Sequence, residues 1–420
     1  MLKKAWLYAF ILIVMIVFPY TIGSSDPKDH PDDIERQIES LSLDEKIGQM
    51  LLVGFEGTRL NEEVKDYIED YHVGGLILFK ENILDVEQTT KMLNHIKHKN
   101  KGHIPLFLGI DEEGGEISRV PDEFKALPDA WEVGEVDQPE LSFQYGNMLA
   151  NQIQPLGFNM DFAPVLDINT NPENPIIGRR AFGSTAKKVT KHGLAVMNGI
   201  RATGVIPVVK HFPGHGDTSI DSHEELPVVN KSLEELQDLE LKPFKAAFKR
   251  NADAVMMAHL SVPNIDHKYP ASLSKKMIQG LLRNQMGFEG LVITDDLTMK
   301  AITNQYTVAD AALRSVKAGS DILLIAHQKE NVAETFKKLK QAVKTGDLSE
   351  QRINESVYRI LDKKRQFNIH NDQHSRPDIS QINQKIKELL ANMKASNQPE
   401  SPIGNKEYME KKKSDILRER

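Results

Sequence analysis

The stretch KHFPGHGDTSIDSHEELP, Lys210 to Pro227, holds three histidines (His211, His215, His223), two aspartates (Asp217, Asp221) and a lysine in eighteen residues. Two prolines and two glycines break it, so neither a helix nor a plain strand fits. Such a loop can do proton chemistry. Asp221, two residues before His223, can accept a bond from one imidazole nitrogen and favour the imidazolium, leaving the other nitrogen to give and take a proton near neutral pH. A loop histidine satisfied by solvent has the same spacing. His211, His215, Asp217 and His223 are also metal-ligand types. The His-x-x-x-His pattern needs a helix to aim both rings at one ion, and Pro213 and Gly214 oppose one, although a loop could wrap a metal.

Asp295 in VITDDLTMK is the natural complement. A carboxylate directly after a buried strand is held on rigid backbone, and aspartate can trap an oxocarbenium-like transition state as a covalent sugar ester. Strand alternation turns its neighbour Asp296 the other way. Asp111 can accept bonds from two sugar hydroxyls, and Arg119, Arg180, Lys210 and His211 can donate them. Singly, each of these is as well read as a surface charge or a salt bridge.

The elements that must position them recur. Apolar runs lie at 50–55, 74–79, 105–110, 159–166, 204–209, 253–258, 290–294 and 321–325. They are nearly continuous, as for strands buried on both faces, and helical patterns such as SLEELQDLELKPFKAAFKR and VADAALRSVKAG separate most of them. Eight such units predict a (β/α)8 TIM barrel in the α/β class, with an open doubly wound sheet as the alternative. Asp111, Asp167, Lys210–His211, His259 and Asp295 each follow a run, so a barrel would gather them on the rim where active sites of this architecture sit.

The remaining sequence sets bounds. The chain has 420 residues, a net charge of −7 and no cysteine, which excludes disulfides and thiolate metal sites and argues against a general nucleic-acid binder. Residues 1–23 read as a signal peptide or an N-terminal membrane anchor, with the apolar segment within 5–23. Either places the bulk of the chain outside the cytoplasm, secreted or anchored at the cell envelope. A polar linker covers 24–35, the catalytic barrel is expected over 36–370, and 371–420 reads as a polar tail with one amphipathic helix at about 378–394. Ser42–Glu45 is a capping box opening a helix, and 348–366 reads as the last barrel helix.

The blocks GIDEEGGEISRV, NPENPIIGRRAFG, KHFPGHGDTSIDSHEELP and GLVITDDL, in this order over roughly 36–366, resemble the signature set of glycoside hydrolase family 3, in its β-N-acetylglucosaminidase (NagZ-type) branch. The resemblance implies a retaining two-step hydrolysis with Asp295 as nucleophile, His223 as acid/base and Asp221 as its partner. Asp111, Arg119, Arg180, Lys210 and His211 would hold a terminal N-acetylglucosamine of a muropeptide or chitin fragment. No metal or cofactor is implied, and a monomer is expected. Glu116 stands where the family usually has arginine and Ala181 where serine is common. A metal-dependent hydrolase and a non-catalytic sugar-binding barrel are the competing readings.

Overall fold

The computed structural model describes residues 31–218 and 225–396. The eight apolar runs form eight short parallel strands: β1 (Leu51–Val53), β2 (Gly75–Leu78), β3 (Phe107–Ile110), β4 (Met160–Asp161), β5 (Ile206–Phe212), β6 (Ala254–Met257), β7 (Leu291–Thr294) and β8 (Leu323–Ile325). Every residue in them is buried. Neighbours in sequence are neighbours in the sheet, and β8 returns to pair with β1. Between β7 and β8, Thr294 N–H donates to Ile322 O and Ile322 N–H to Val292 O, both at 3.0 Å, so the circuit closes as a (β/α)8 barrel.

Two local expectations need correction. The run 159–166 is regular only at Met160–Asp161, and Val165 then makes a single bridge to Lys210. Pro164 has no N–H to offer a ladder. The pattern SLEELQDLELKPFKAAFKR is two helices, Leu233–Asp238 and Leu241–Phe248, broken at Leu239 with φ −136° and ψ −80°. Pro243 cannot bond the carbonyl four residues back, and its ring crowds that position.

The capping box forms as read: Ser42 Oγ accepts from Glu45 N–H, and Glu45 Oε2 accepts from Ser42 N–H at 2.8 Å. The 348–366 segment is the helix Glu350–Gln366, capped by Ser349. The helix Ile379–Ser396 buries Ile386, Leu389 and Met393 in the main core and packs on the helix Pro139–Ile153. The leader at 1–23, the linker residues before 31 and the tail beyond 396 lie outside the described residues. Among the described residues no helix is long and apolar enough to cross a membrane.

The barrel's two ends treat charge differently. At the N-terminal end, Lys364 Nζ donates to Gln49 Oε1 at 2.8 Å and Gly74 O at 2.9 Å and lies over the Phe107 ring. Asp321 there accepts from Arg283 at 2.6 Å and from Arg359 and Ser356 at 2.9 Å. These groups satisfy one another inside the protein and hold helices to the strand starts. At the C-terminal end the charges line an open cavity.

Candidate active site

The cavity, of about 210 Å³, has Asp111, Glu113, Arg119, Arg180, Lys210, His211, His215, Asp295 and Asp296 in its walls. All six sequence-predicted residues that fall in described segments, Asp111, Arg119, Arg180, Lys210, His211 and Asp295, are therefore brought together. Asp221 and His223 lie outside the described residues.

The segment leaving β3 sets one wall. Side chains alternate along it, so Asp111 and Glu113 face the cavity while Glu112 turns inward. Glu113, 5% exposed, is the pivot that sequence reasoning missed. Its carboxylate takes a two-pronged bond from Arg180, Nε to Oε2 at 2.8 Å and Nη2 to Oε1 at 2.7 Å, and Lys210 Nζ lies 2.7 Å from Oε1. Lys210 Nζ also donates to Asp111 Oδ1 at 2.6 Å. Burial pushes the Glu113 carboxyl up, but Arg180 and Lys210 outweigh it and hold the group well below the ordinary glutamate range. Lys210 is raised: Asp111 and Glu113 overcome the burial that disfavours its charge.

Lys210 and His211 both reach the cavity although they are consecutive. The pairing of β5 with β6 shifts register between Val209 and Phe212, which breaks simple alternation there. Asp167, after β4, anchors the two histidines of the β5 exit. Its Oδ2 lies 2.7 Å from His211 Nδ1, and its Oδ1 accepts from His215 N–H at 2.7 Å. It is fully buried, and His211 and His215 hold its carboxyl below the ordinary range against the push of burial. His215 is lowered by burial and by His211, and its Nδ1 lies 2.9 Å from Thr218 Oγ1. Replacing Asp167 with alanine leaves the His211 imidazole and the backbone N–H groups of His211 and His215 without their acceptor. At roughly 1–3 kcal/mol for each buried unmet group, the expected loss is about 3 kcal/mol or more. Urea unfolding of Asp167→Ala and Asp167→Asn measures it, with the asparagine variant retaining a carbonyl acceptor and the smaller loss.

Asp295 and Asp296 follow β7 and have different tasks. Asp296 is committed to structure: Oδ1 accepts from Thr298 N–H and Ala326 N–H, both at 3.0 Å, which ties the ends of β7 and β8 together. Among the described residues Asp295 Oδ1 accepts only the N–H of Asp296, at 2.9 Å, and its backbone N–H is bonded to Met257 O at 3.0 Å. Burial alone would raise its carboxyl. His259, His211, the Asp296 N–H and Lys210 outweigh that and keep it below the ordinary aspartate range, ionised at neutral pH. A rigid, ionised carboxylate thus faces a cluster of hydroxyl-binding groups across one small cavity.

The described metal-ligand types of the loop have partners within the protein. His211 bonds Asp167, His215 bonds Thr218, and Asp217 pairs with Lys231 at 2.7 Å. Among the described residues no group of three His, Asp or Glu side chains has the geometry to hold a metal ion. The flanks of residues 219–224 are anchored. Lys231 bridges Asp217 and Glu240, Val229 N–H donates to Ser261 O at 2.8 Å, and Ser261 N–H donates to Pro227 O at 2.9 Å.

Comparison with known proteins matches residues 42–362 to the family described as Glycosyl hydrolase family 3 N terminal domain. A β-hexosaminidase of Xylella fastidiosa (strain 9a5c) is 36% identical over 284 residues, covering 66% of this chain and 83% of that protein. β-Hexosaminidase A of Pseudoalteromonas piscicida is 32% identical over 329 residues, 72% of this chain, and the match spans 55% of that relative's length. Among solved structures, the glycoside hydrolase family 3 β-N-acetylglucosaminidase from Paenibacillus sp. str. FPU-7 superposes with a TM-score of 0.79 at 36% identity. That match covers 83% of this chain and 68% of the Paenibacillus chain.

Proposed function

Because the chain belongs to glycosyl hydrolase family 3, we propose that it is a retaining exo-β-N-acetylglucosaminidase that removes a terminal, non-reducing N-acetylglucosamine from cell-wall muropeptides or chitooligosaccharides. The observation that carries this reading is the placement of Asp295, ionised and on rigid backbone, in one cavity of about 210 Å³ with the Asp111–Lys210–Glu113–Arg180 cluster. The name of the Paenibacillus relative, a β-N-acetylglucosaminidase, supports the acetamido sugar, and that of the Xylella relative supports a hexosaminide.

In the first step Asp295 attacks the anomeric carbon, forming a C–O ester as the glycosidic C–O bond breaks. His223, charged through Asp221, gives its proton to the departing oxygen. In the second, water attacks the same carbon, neutral His223 takes the water's proton, and the ester bond breaks to return the Asp295 carboxylate. Two inversions retain the β configuration. Beside a nucleophilic carboxylate, an imidazole acid avoids the like-charge repulsion that a second carboxylate would meet. Asp111 and the Arg180–Lys210 pair would hold the ring hydroxyls, with Glu113 keeping those two cations in register. The leader-like residues 1–23 support action outside the cytoplasm, secreted or anchored at the envelope, and we propose a monomer.

Chromophore release from aryl β-N-acetylglucosaminide and aryl β-glucoside, by the parent and His223→Ala proteins in EDTA, tests the assignment. The expected outcome is acetamido-selective turnover that falls roughly 10²–10⁴-fold in His223→Ala, the range for loss of a general acid/base. Equal turnover of both sugars removes the acetamido specificity. Activity lost in EDTA and restored by zinc replaces the mechanism with a metal-dependent one.

A further inference from the structure

The third acidic residue of the segment after β3 turns away from the cavity. Glu112 is 1% exposed, and its Oε2 accepts three bonds from one short stretch: Ser118 Oγ at 3.0 Å, Arg119 N–H at 2.9 Å and Val120 N–H at 3.3 Å. Its own N–H donates to Asp161 Oδ1 in β4 at 3.1 Å. The chain between them doubles back tightly, with Glu113 N–H bonded to Ile117 O at 2.9 Å and both Gly114 and Gly115 at positive φ, 78° and 58°. A side chain at Gly114 would strike the Tyr145 hydroxyl. Glu112 therefore closes a loop whose far end carries Arg119.

Arg119 needs such a hold. It lines the cavity, and its Nε is buried without a partner among the described residues. Arg180, by contrast, is locked side chain to side chain by Glu113. The Arg119 guanidinium is left for a ligand, and its place in the cavity is set through its backbone.

We propose that Glu112 is a positioning residue for sugar binding: it touches no substrate, and by clasping the Arg119 and Val120 N–H groups it aims Arg119 into the cavity. This rests on the glycosidase reading above. The clasp is also sensitive to pH. Burial pushes the Glu112 carboxyl up to about 7, against the Arg119 and Val120 N–H groups, the Ser118 hydroxyl and the Arg119 charge. The other groups facing it are the Asp161 carboxyl, itself raised well above the ordinary range by burial, and the Tyr145 hydroxyl. The ionised carboxylate is the stronger acceptor for its three donors, so the clasp tightens above pH 7 and loosens below it.

The test combines kinetics on aryl β-N-acetylglucosaminide at pH 5.5–8.5 with amide hydrogen exchange of residues 112–120 in the absence of sugar, using the parent, Glu112→Gln, Glu112→Ala, Arg119→Ala and the Glu112→Ala/Arg119→Ala pair. Glu112→Ala should raise KM roughly 10–100-fold with little change in kcat, and should speed exchange at Arg119 and Val120. It should add nothing further to the KM of Arg119→Ala, because it acts through that side chain. The parent KM should rise as pH falls through 7, while Glu112→Gln shows the parent's acid-side KM at every pH. Additive KM effects in the double variant, a KM unchanged in Glu112→Ala, or unchanged exchange at both amides would each overturn the proposal. Should Glu112→Ala not fold, the near-isosteric glutamine variant supplies both readouts. A parent that cleaves no aryl sugar defeats the functional reading instead, and the exchange measurement still decides whether Glu112 holds the Arg119 backbone.

Discussion

An Asp295→Ala protein is expected to fold and to melt within a few degrees of the parent, yet to lose roughly 10⁴-fold or more in kcat, the scale seen when a nucleophile is removed. The fold should survive because the bond from Asp295 N–H to Met257 O belongs to the backbone, and the link between the β7 and β8 ends runs through Asp296. What disappears is the carboxylate proposed to form the sugar ester. A small anion such as azide separates a lost nucleophile from a distorted site. It can enter the space vacated by the side chain and attack the anomeric carbon as the aryloxide leaves, giving the α-glycosyl azide, a product of one inversion. Rescue with that product establishes the role; an Asp295→Ala protein that retains a tenth of parental turnover would remove it. The pH profile gives an independent check. The Asp295 carboxyl is held below its ordinary value of 3.8, so it stays ionised throughout the pH range 5–8. An acid limb in kcat/KM within that range must come from another group, and Glu112 is one candidate through its effect on KM.

The barrel was legible in the sequence because strands buried on both faces must be apolar at every position, and eight such runs separated by helical patterns leave few alternatives. What blurred the reading was proline. Pro164 shortened β4 to two regular residues, and Pro243 divided a helix that hydrophobic spacing alone shows as continuous. The rim was legible at the first charged residue after a strand, as at Asp295 and Asp111. It was not legible at the charges that follow the first. The run Asp111-Glu112-Glu113 offers three carboxylates with no chemical difference between them. The two-residue period of the strand, carried three positions past Ile110, would have put Glu113 beside Asp111 and sent Glu112 inward. Asp167 reads as a strand-end charge, but its hold on His211 and His215 depends on the β4 and β5 exits converging in space, and no local pattern carries that. In the sequence His215 reads only as a metal-ligand type; its bond to Thr218 appears once the loop is folded.

Glu113 carries the largest expected effect on stability. Its carboxylate is 5% exposed and neutralises two cations at once, Arg180 at 2.7 and 2.8 Å and Lys210 at 2.7 Å. In Glu113→Ala, Lys210 keeps Asp111, but Arg180 loses both prongs of its partner and is left beside Lys210 in a confined cavity. Breaking a buried pair in this way costs about 3–5 kcal/mol, which for a domain of this size lowers the apparent melting temperature by on the order of 10 °C. Glu113→Gln keeps an oxygen acceptor and should lose less. The pH dependence fixes the sign. Because the folded-state value is depressed, the stabilisation is present above the ordinary glutamate value of 4.5 and fades as pH falls below it. The gap between parent and Glu113→Ala should therefore be widest near neutrality and should narrow in acid. A gap independent of pH would mean that the cost is one of packing rather than charge. Kinetically, the same variant should raise KM more than it lowers kcat, because Glu113 holds Arg180 and Lys210, the cations proposed to hold the sugar. A fall in kcat with KM unchanged would instead place Glu113 in the chemical step.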